Sequence, residues 1–545
     1  MESKRVVLAV VLSLIVIVGW SYFFAPQPRA PQAPTQDRTA GQAERATDAQ
    51  PAVTPEPGEQ EFAAADDQPL IETFEPVPGK EIIVDTPLYR AAFTSQGGIL
   101  KSLRLKKYNK SIQPNADPVN LISPAASHKG SMGLLLNGSA TWRKGEWAAP
   151  EEGLDLAAGE TGEVVFRGRI GSVDVIRTYT FDADSYLIEE QAGVQNTSDS
   201  QINARLGFTV AASDITPGGG NRYNQTKVSW LEAEGKEDEQ DVDDLKTGIS
   251  AQNGVLWGAV QTNYFMVAAA PQGDALTLKA KYEDDVYRVA LVREPEYLLP
   301  GSTGTYTSHY YLGPVDDETL AGAPNRLDEI VTYGWFDFIS KPLLEALKFF
   351  QSFVGNWGVA IIILTVIIKI IFWPLSHKSY KSMNKMKKIQ PLMAEVREKY
   401  KGDREKMNQE MMRLYKTYKV NPAGGCLPML LQIPVFIGLY QALLYSIELR
   451  HAAFIPYVPF TDIIWLADLS AKDPFYVTPV IMGATMLLQQ KMTPSPGDPM
   501  QAKMMMLMPV VFTFIFLTFP AGLVIYWLSN NVLSIAQQYY LLKKA

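Results

Sequence analysis

The sequence predicts a multidomain membrane protein. It has an α-helical core of five transmembrane helices, a sixth as an N-terminal signal-anchor, a large all-β sandwich domain outside the bilayer and a helical hairpin on the inner side. Three observations carry this prediction. Apolar runs long enough to cross a hydrocarbon core of about 30 Å occur at residues 6–24 and recur after residue 357. Between them lies a long stretch with the composition of a soluble protein. Charge is also unevenly divided: residues 25–325 hold 25 Lys/Arg against 43 Asp/Glu, and residues 376–424 hold 13 against 5, in a chain of net charge −8. Short basic loops remain in the cytoplasm, whereas large domains translocate largely regardless of charge. The basic segment is therefore expected inside and the acidic domain outside.

Residues 1–24 open with Lys4 and Arg5, and the apolar run that follows exceeds the ~7–15 residues usual in a cleaved signal peptide. It ends in Trp20, Tyr22, Phe23 and Phe24, an aromatic interfacial edge. The reading is an uncleaved anchor. Residues 25–78 are rich in Pro, Ala, Gln and acidic residues, cannot bury a core, and read as a disordered linker. From residue 79 to about 320, segments such as VDVIRTYTFD and YRVALVRE alternate apolar with polar residues and are punctuated by NTSDS, TPGGGN and APQGD turns. They predict many short strands in a sandwich. The acidic run 232–244 reads as a solvated loop without the spacing of a calcium site.

Residues 321–357 contain an amphipathic stretch, 327–353, too charged to span and too apolar to leave the interface, with a break expected near Pro342. The core, residues 358–545, should span at 358–375, 427–447, 475–489, 504–519 and 522–538. Six spans place both termini inside, and the mildly acidic 448–474 loop falls outside, in agreement with the charge rule. Residues 376–424 read as a hairpin of two helices about the turn KGD, with Met407, Met411, Leu414 and Tyr418 as the apolar stripe of the second and Lys385 and Lys388 on the first.

The chain carries no P-loop, no dinucleotide-binding glycine motif, and no zinc or serine-hydrolase signature. Its four histidines are scattered and its single cysteine, Cys426, can form no intrachain disulfide. No enzymatic activity, metal or cofactor is expected. What the spans do carry is polarity. Lys369 lies amid a dozen apolar residues, where a charge faces a wet cavity or snorkels to the nearer surface. Thr365 lies one turn earlier. Gln432, Gln441, Asn530, Asn531, Gln537 and Gln538 occupy other spans, alongside Pro428, Pro434, Pro479 and Pro509. Such residues are tolerated where helices pack together or line water. Of 18 methionines, 15 lie between residues 383 and 508, and flexible apolar side chains suit surfaces that accept many partners.

Over residues 327–540, the segments NWGVAIIILTVIIKIIFWPL, VNPAGGCLPMLLQIPVFIGLY, DPFYVTPVIMGATMLLQQKM and DPMQAKMMMLMPVVFTFIFLTFPAGLVIYWLSNN resemble the YidC/Oxa/Alb family of membrane protein insertases. The preceding anchor and large domain resemble the layout of its Gram-negative members. The resemblance implies a multi-pass inner-membrane insertase and chaperone, with a periplasmic β-supersandwich akin to sugar-binding folds. It implies a hydrophilic groove open to cytoplasm and lipid, formed here by Lys369, Thr365, Gln432, Trp527 and Asn531. It further implies an apolar sliding surface that includes Ile433, Phe436, Met505, Met508 and Phe512. The family's groove charge is commonly arginine; lysine at 369 keeps the charge and loses the bidentate fork. Implied partners are nascent integral membrane proteins, membrane lipids and the Sec translocon. The short basic end LLKKA makes the ribosome a weaker expectation, and no specific nucleic acid is implied. A solute transporter is disfavoured by the lack of an internal repeat, and a sugar-processing enzyme by having only His128 and His309 in the β domain.

Overall fold

The computed structural model describes residues 79–544 except 114, 149, 151–152, 216–223, 253, 274–275, 419, 421–426 and 493–498. The predicted anchor and linker, residues 1–78, lie outside the described residues.

Strict period-2 patterning builds the first half. In Val173–Asp182, Val173, Val175, Arg177, Tyr179 and Phe181 turn inward, and the residues between them stay at least partly exposed. This strand is one of nine in a sheet of order Glu237–Gln240, Lys227–Glu232, Val255–Gln261, Phe265–Pro271, Thr303–Pro314, Leu187–Asn196, Val173–Asp182, Thr161–Ile170, Glu146–Ala148. A six-stranded sheet containing Leu206–Ala212 and Val286–Val292 packs against it, and a five-stranded sheet built around Glu81–Asp85, Tyr89–Thr94 and Leu100–Asn109 joins the same core. The inward Arg177 is fully buried and makes a bidentate pair with Glu190, at 2.6 and 3.0 Å. Its remaining donors reach the carbonyls of Gly97 at 2.6 Å and Met132 at 2.8 Å, while Tyr310 donates to Glu190 at 2.9 Å. All three guanidinium nitrogens thus meet an acceptor, which offsets the cost of burying the charge.

The acidic run is not the loop expected of it. Glu237–Gln240 pairs antiparallel with Lys227–Glu232, and Asp241 caps the short helix Val242–Leu245. Alternation lets half of such a strand's charges reach water while its backbone closes the sheet edge. Burial pushes the Glu237 carboxyl up to about 7, opposed by Lys227 and reinforced by Glu239 and Glu329. A carboxyl raised on folding favours the fold while protonated, so its contribution is present below the ordinary carboxylate range and is lost as pH climbs through about 7. Glu237→Gln is therefore expected to raise the unfolding temperature at pH 8 and change it little at pH 5. An equal effect at both would remove this assignment.

Among the described residues, eight long helices follow, numbered α1–α8: Asp337–Val354, Trp357–Ile371, Trp373–Lys399, Arg404–Thr417, Leu427–Tyr445, Val477–Met492, Pro499–Phe516 and Ala521–Lys544. The break expected near Pro342 does not occur. Proline lies in the second turn of α1, where it forfeits one bond, to the Phe338 carbonyl, and the helix runs on to Gly355. Gly355 ends α1 in the left-handed region, its N–H on Gln351, and Asn356 then caps α2 by accepting from Val359. Between α2 and α3 the axis bends by 64° at Phe372, where Pro374 opens the new helix.

No single helix among the described residues is long and apolar enough to cross a membrane; the bent pair α2–α3 meets that test jointly. Exposed apolar side chains nevertheless crowd the outside of this half, including Ile370 and Ile371 on α2, Val480, Ile481 and Leu488 on α6, and Met504, Met506, Leu507, Phe514 and Ile515 on α7. Helices α6 and α7 approach so closely that a Cβ on Gly483 would lie 1.9 Å from Thr513 Oγ1.

The β domain and the helices share a core. Leu327, Tyr333, Leu344, Ala442 and Ile447 belong to the same buried cluster as the sandwich interior. Helix α1 lies across α5, where Ile339 fills the space a Cβ on Gly438 would need. Around this junction Lys348 meets Glu448 at 2.6 Å, Glu318 at 3.5 Å and Asp316 at 3.8 Å. Arg450 donates to the Asn109 carbonyl at 2.6 Å while its guanidinium lies 5.3 Å from the centre of the Phe265 ring.

Candidate functional site

A polar seam runs through the helical half. Lys369, two residues before the end of α2, donates to Ser534 Oγ of α8 at 2.7 Å. Ser534 donates in turn to the Asn530 carbonyl one turn back, at 2.7 Å. The Asn530 side chain accepts from Gln432 of α5 at 2.9 Å, and neighbouring Asn531 donates to Thr485 of α6 at 3.4 Å. One run of hydrogen bonds thus joins α2, α8 and α5, and a separate bond from the neighbouring residue ties in α6, in a bundle whose core is formed by apolar side chains such as Ile361, Leu364, Ile368, Leu439, Leu443 and Val524. Asn531, Ser534, Gln537 and Gln538 are buried, and Gln537 Nε2 and Gln538 Oε1 reach no hydrogen-bond partner among the described residues. Buried amides in that condition imply water or a visiting polar group.

The expected groove residues separate into three groups. Lys369, Gln432 and Asn531 lie on the seam. Thr365 is buried, and its hydroxyl donates to the Ile361 carbonyl of its own helix at 2.6 Å, so it supports α2 rather than reaching toward Lys369. Trp527 lies one turn beyond Asn531, inside an aromatic cluster: Phe436 meets it edge-on at 4.7 Å, Phe516 lies at 5.2 Å and Phe512 is stacked at 6.2 Å. It therefore stands with the apolar surface residues. Among these, Phe436, Phe512 and Met505 are half-buried, and Ile433 and Met508 are exposed. Sequence reasoning missed Ser534 and Thr485. Ser534 was legible, since Asn530, Ser534 and Gln537 recur at helical spacing on α8. A lone threonine in an apolar span gives no comparable signal.

The basic hairpin is made by α3 and α4. Ile389, Met393 and Val420 are buried between them, with Met386, Met411, Leu414 and Tyr415 packed alongside. Met407 is half-buried, and Lys385 and Lys388 are exposed on the first helix. Tyr418, expected in the stripe, is exposed: α4 stops at Thr417, and Tyr415 and Val420 take that place.

A β-rich domain continuous with a helical half that carries one polar seam in an apolar interior and apolar side chains on its exterior has the pattern of an integral membrane protein with a large extramembrane domain. A family model described as 60Kd inner membrane protein matches residues 349–545, and another described as YidC periplasmic domain matches residues 81–346. Over its whole length the chain is 53% identical to the membrane protein insertase YidC of Oleidesulfovibrio alaskensis, all of which is covered. It is 41% identical to that of Geobacter sulfurreducens, with 99% of this chain and 98% of the relative covered. The crystal structure of an active YidC insertase with its first transmembrane domain resolved covers 86% of this chain and 95% of its own, at 20% identity and a TM-score of 0.37, a superposition too loose to argue from. The chain belongs to the YidC family of membrane protein insertases.

Proposed function

We propose that this inner-membrane insertase works through the seam, as the polar floor of a groove into which the hydrophilic flank of a nascent membrane protein enters. The observation that carries this reading is the single hydrogen-bonded run from Lys369 through Ser534 and Asn530 to Gln432. A charge within a span costs up to about 2.5–3.5 kcal/mol on insertion scales, so an ammonium that bonds inward to Ser534, instead of snorkelling from its place in the last turn of α2, calls for a wet environment. A substrate's acidic flank gains an opposite charge in that environment and crosses a shorter apolar distance. The potential adds about 2.3 kcal/mol per charge per 100 mV for an acidic flank drawn outward. The substrate's apolar segment then moves along Ile433, Phe436, Met505, Met508 and Phe512 into lipid, where burial drives it to completion.

In this reading α2, α5, α6, α7 and α8 are the five spans of the core, and the preceding anchor makes six. The α3–α4 hairpin, with Lys385 and Lys388, and both termini lie in the cytoplasm, while the β domain is periplasmic. The basic hairpin suits anionic lipid or a ribosome, and the Sec translocon is a partner for substrates too long for the groove alone. Depletion of the protein is expected to leave a single-span reporter with a short acidic translocated tail uninserted, its tail inaccessible to external protease. Normal insertion in depleted cells would refute the reading.

A further inference from the structure

The segment joining α5 to α6 forms a two-stranded hairpin, Ile455–Tyr457 with Ile464–Leu466, whose tip is apolar and uncovered. Tyr457, Phe460, Ile463 and Ile464 are all exposed, and Phe460 wholly so. Asp462 is the one charged residue between Phe454 and Ala467. Phe460 also adopts φ +66°, a left-handed conformation that costs a bulky residue energy, yet its side chain is fully exposed, so burial among the described residues does not compensate.

The base, by contrast, is fixed to the ends of two helices. Phe454 packs on Gly358 at the start of α2, and its carbonyl accepts from Asn356 at 3.0 Å. Its N–H pairs with the Leu466 carbonyl at 2.8 Å. Further along, the Leu469 and Ala471 carbonyls accept from Gly522 at 2.9 Å and Ala521 at 2.7 Å, at the start of α8. The tip is thus held at the rim where two spans begin. Further along the chain, Phe475, Tyr476, Val477, Val480 and Ile481, at the start of α6, are exposed as well.

We propose that this hairpin is an interfacial anchor, its tip seated among the headgroups and upper acyl chains of the outer leaflet. Three features select lipid over a protein strand or a second copy. Exposed apolar side chains recur at the start of α6, the next helix along the chain. Exposed tyrosine, phenylalanine and isoleucine beside a single charge is a composition suited to a membrane interface. Pro456 removes an N–H donor from the first strand and Pro459 one from the turn after it, which blunts the hairpin as a template for another chain. A ladder of two residue pairs leaves carbonyls and amides that need water, so the tip reaches the interface and not the bilayer centre.

The inference rests on the membrane placement given above, and the test separates the two. In full-length protein carrying Cys426→Ser and reconstituted into liposomes, single cysteines Phe460→Cys, Phe514→Cys and Asp199→Cys are labelled with a polarity-sensitive fluorophore. Quenching by lipids carrying a nitroxide near the headgroup is compared with quenching by aqueous iodide. The expected result is blue-shifted emission at 460 with strong lipid quenching, as at 514, while 199 responds to iodide alone. Iodide quenching at 460 as strong as at 199, with 514 still lipid-accessible, overturns the anchor and spares the placement. Protection at 460 from both quenchers assigns the tip to a protein partner and also overturns it. Loss of lipid quenching at 514 would remove the placement itself.

Discussion

Replacing Lys369 with Ala or Glu is expected to lower insertion of a short acidic-tailed reporter by about ten- to a hundredfold, the rate equivalent of the ~1.5–3 kcal/mol that a hydrogen bond to a charged group contributes. The contact with Ser534 holds the ammonium within the bundle instead of letting it extend toward the nearer surface. Glu should be the worse of the two, because it repels the acidic flank as well as losing the attraction. Lys369→Arg keeps the charge and should retain most activity, since nothing in the seam demands a compact ammonium. Ser534→Ala should cost less than Lys369→Ala, because water can replace a hydroxyl in a hydrated groove. Depletion and complementation with these variants, at matched protein levels, decides the matter. Normal insertion by Ala and Glu variants would mean that hydration of the groove suffices without a charge.

Arg177→Ala should destabilise the β domain by about 3–5 kcal/mol, the usual cost of breaking a buried ion pair. The loss strands Glu190 without its partner in a fully buried position, and it leaves the Gly97 and Met132 carbonyls without their guanidinium donors. Replacing both partners, as Arg177→Met with Glu190→Leu, should recover part of this by removing the unpaired charge. Recovery stays incomplete because Tyr310 then loses its acceptor. Thermal and denaturant unfolding of the full chain in detergent measures both variants. A midpoint for Arg177→Ala within a degree of the parent would show that water reaches the pair.

The same residue shows how far sequence patterning can be read. The alternation in VDVIRTYTFD announces a strand and sets Arg177 in register with Val175 and Tyr179 on the inner face. The β-rich class and the helical half follow from such periodicities, because burial enforces them. Glu190, across the sheet, is not announced, since its pairing depends on strand order and register. The acidic run misled for a related reason: charge density says loop, yet an edge strand tolerates charge on its wet side. In the site, Lys369 and Gln432 stood out as polar residues in apolar spans, but their common partner segment, Asn530 to Ser534, emerges only once α8 is placed between α2 and α5. Trp527 had been grouped with polar residues by resemblance, and packing puts it among rings.

The joint core of the sandwich and helices bears on how truncations should be designed and read. Because Leu344, Ala442 and Ile447 complete the interior of the β domain, cutting that domain away would strip α1 and α5 of cover and expose greasy surface to water. A deletion ending after Val331 or Tyr333 would therefore injure the helical half by unroofing it, whatever the sandwich does on its own account. A shorter deletion that spares the Leu327–Tyr333 segment, with polar replacements at Leu344 and Ile447, separates a lost roof from a lost activity.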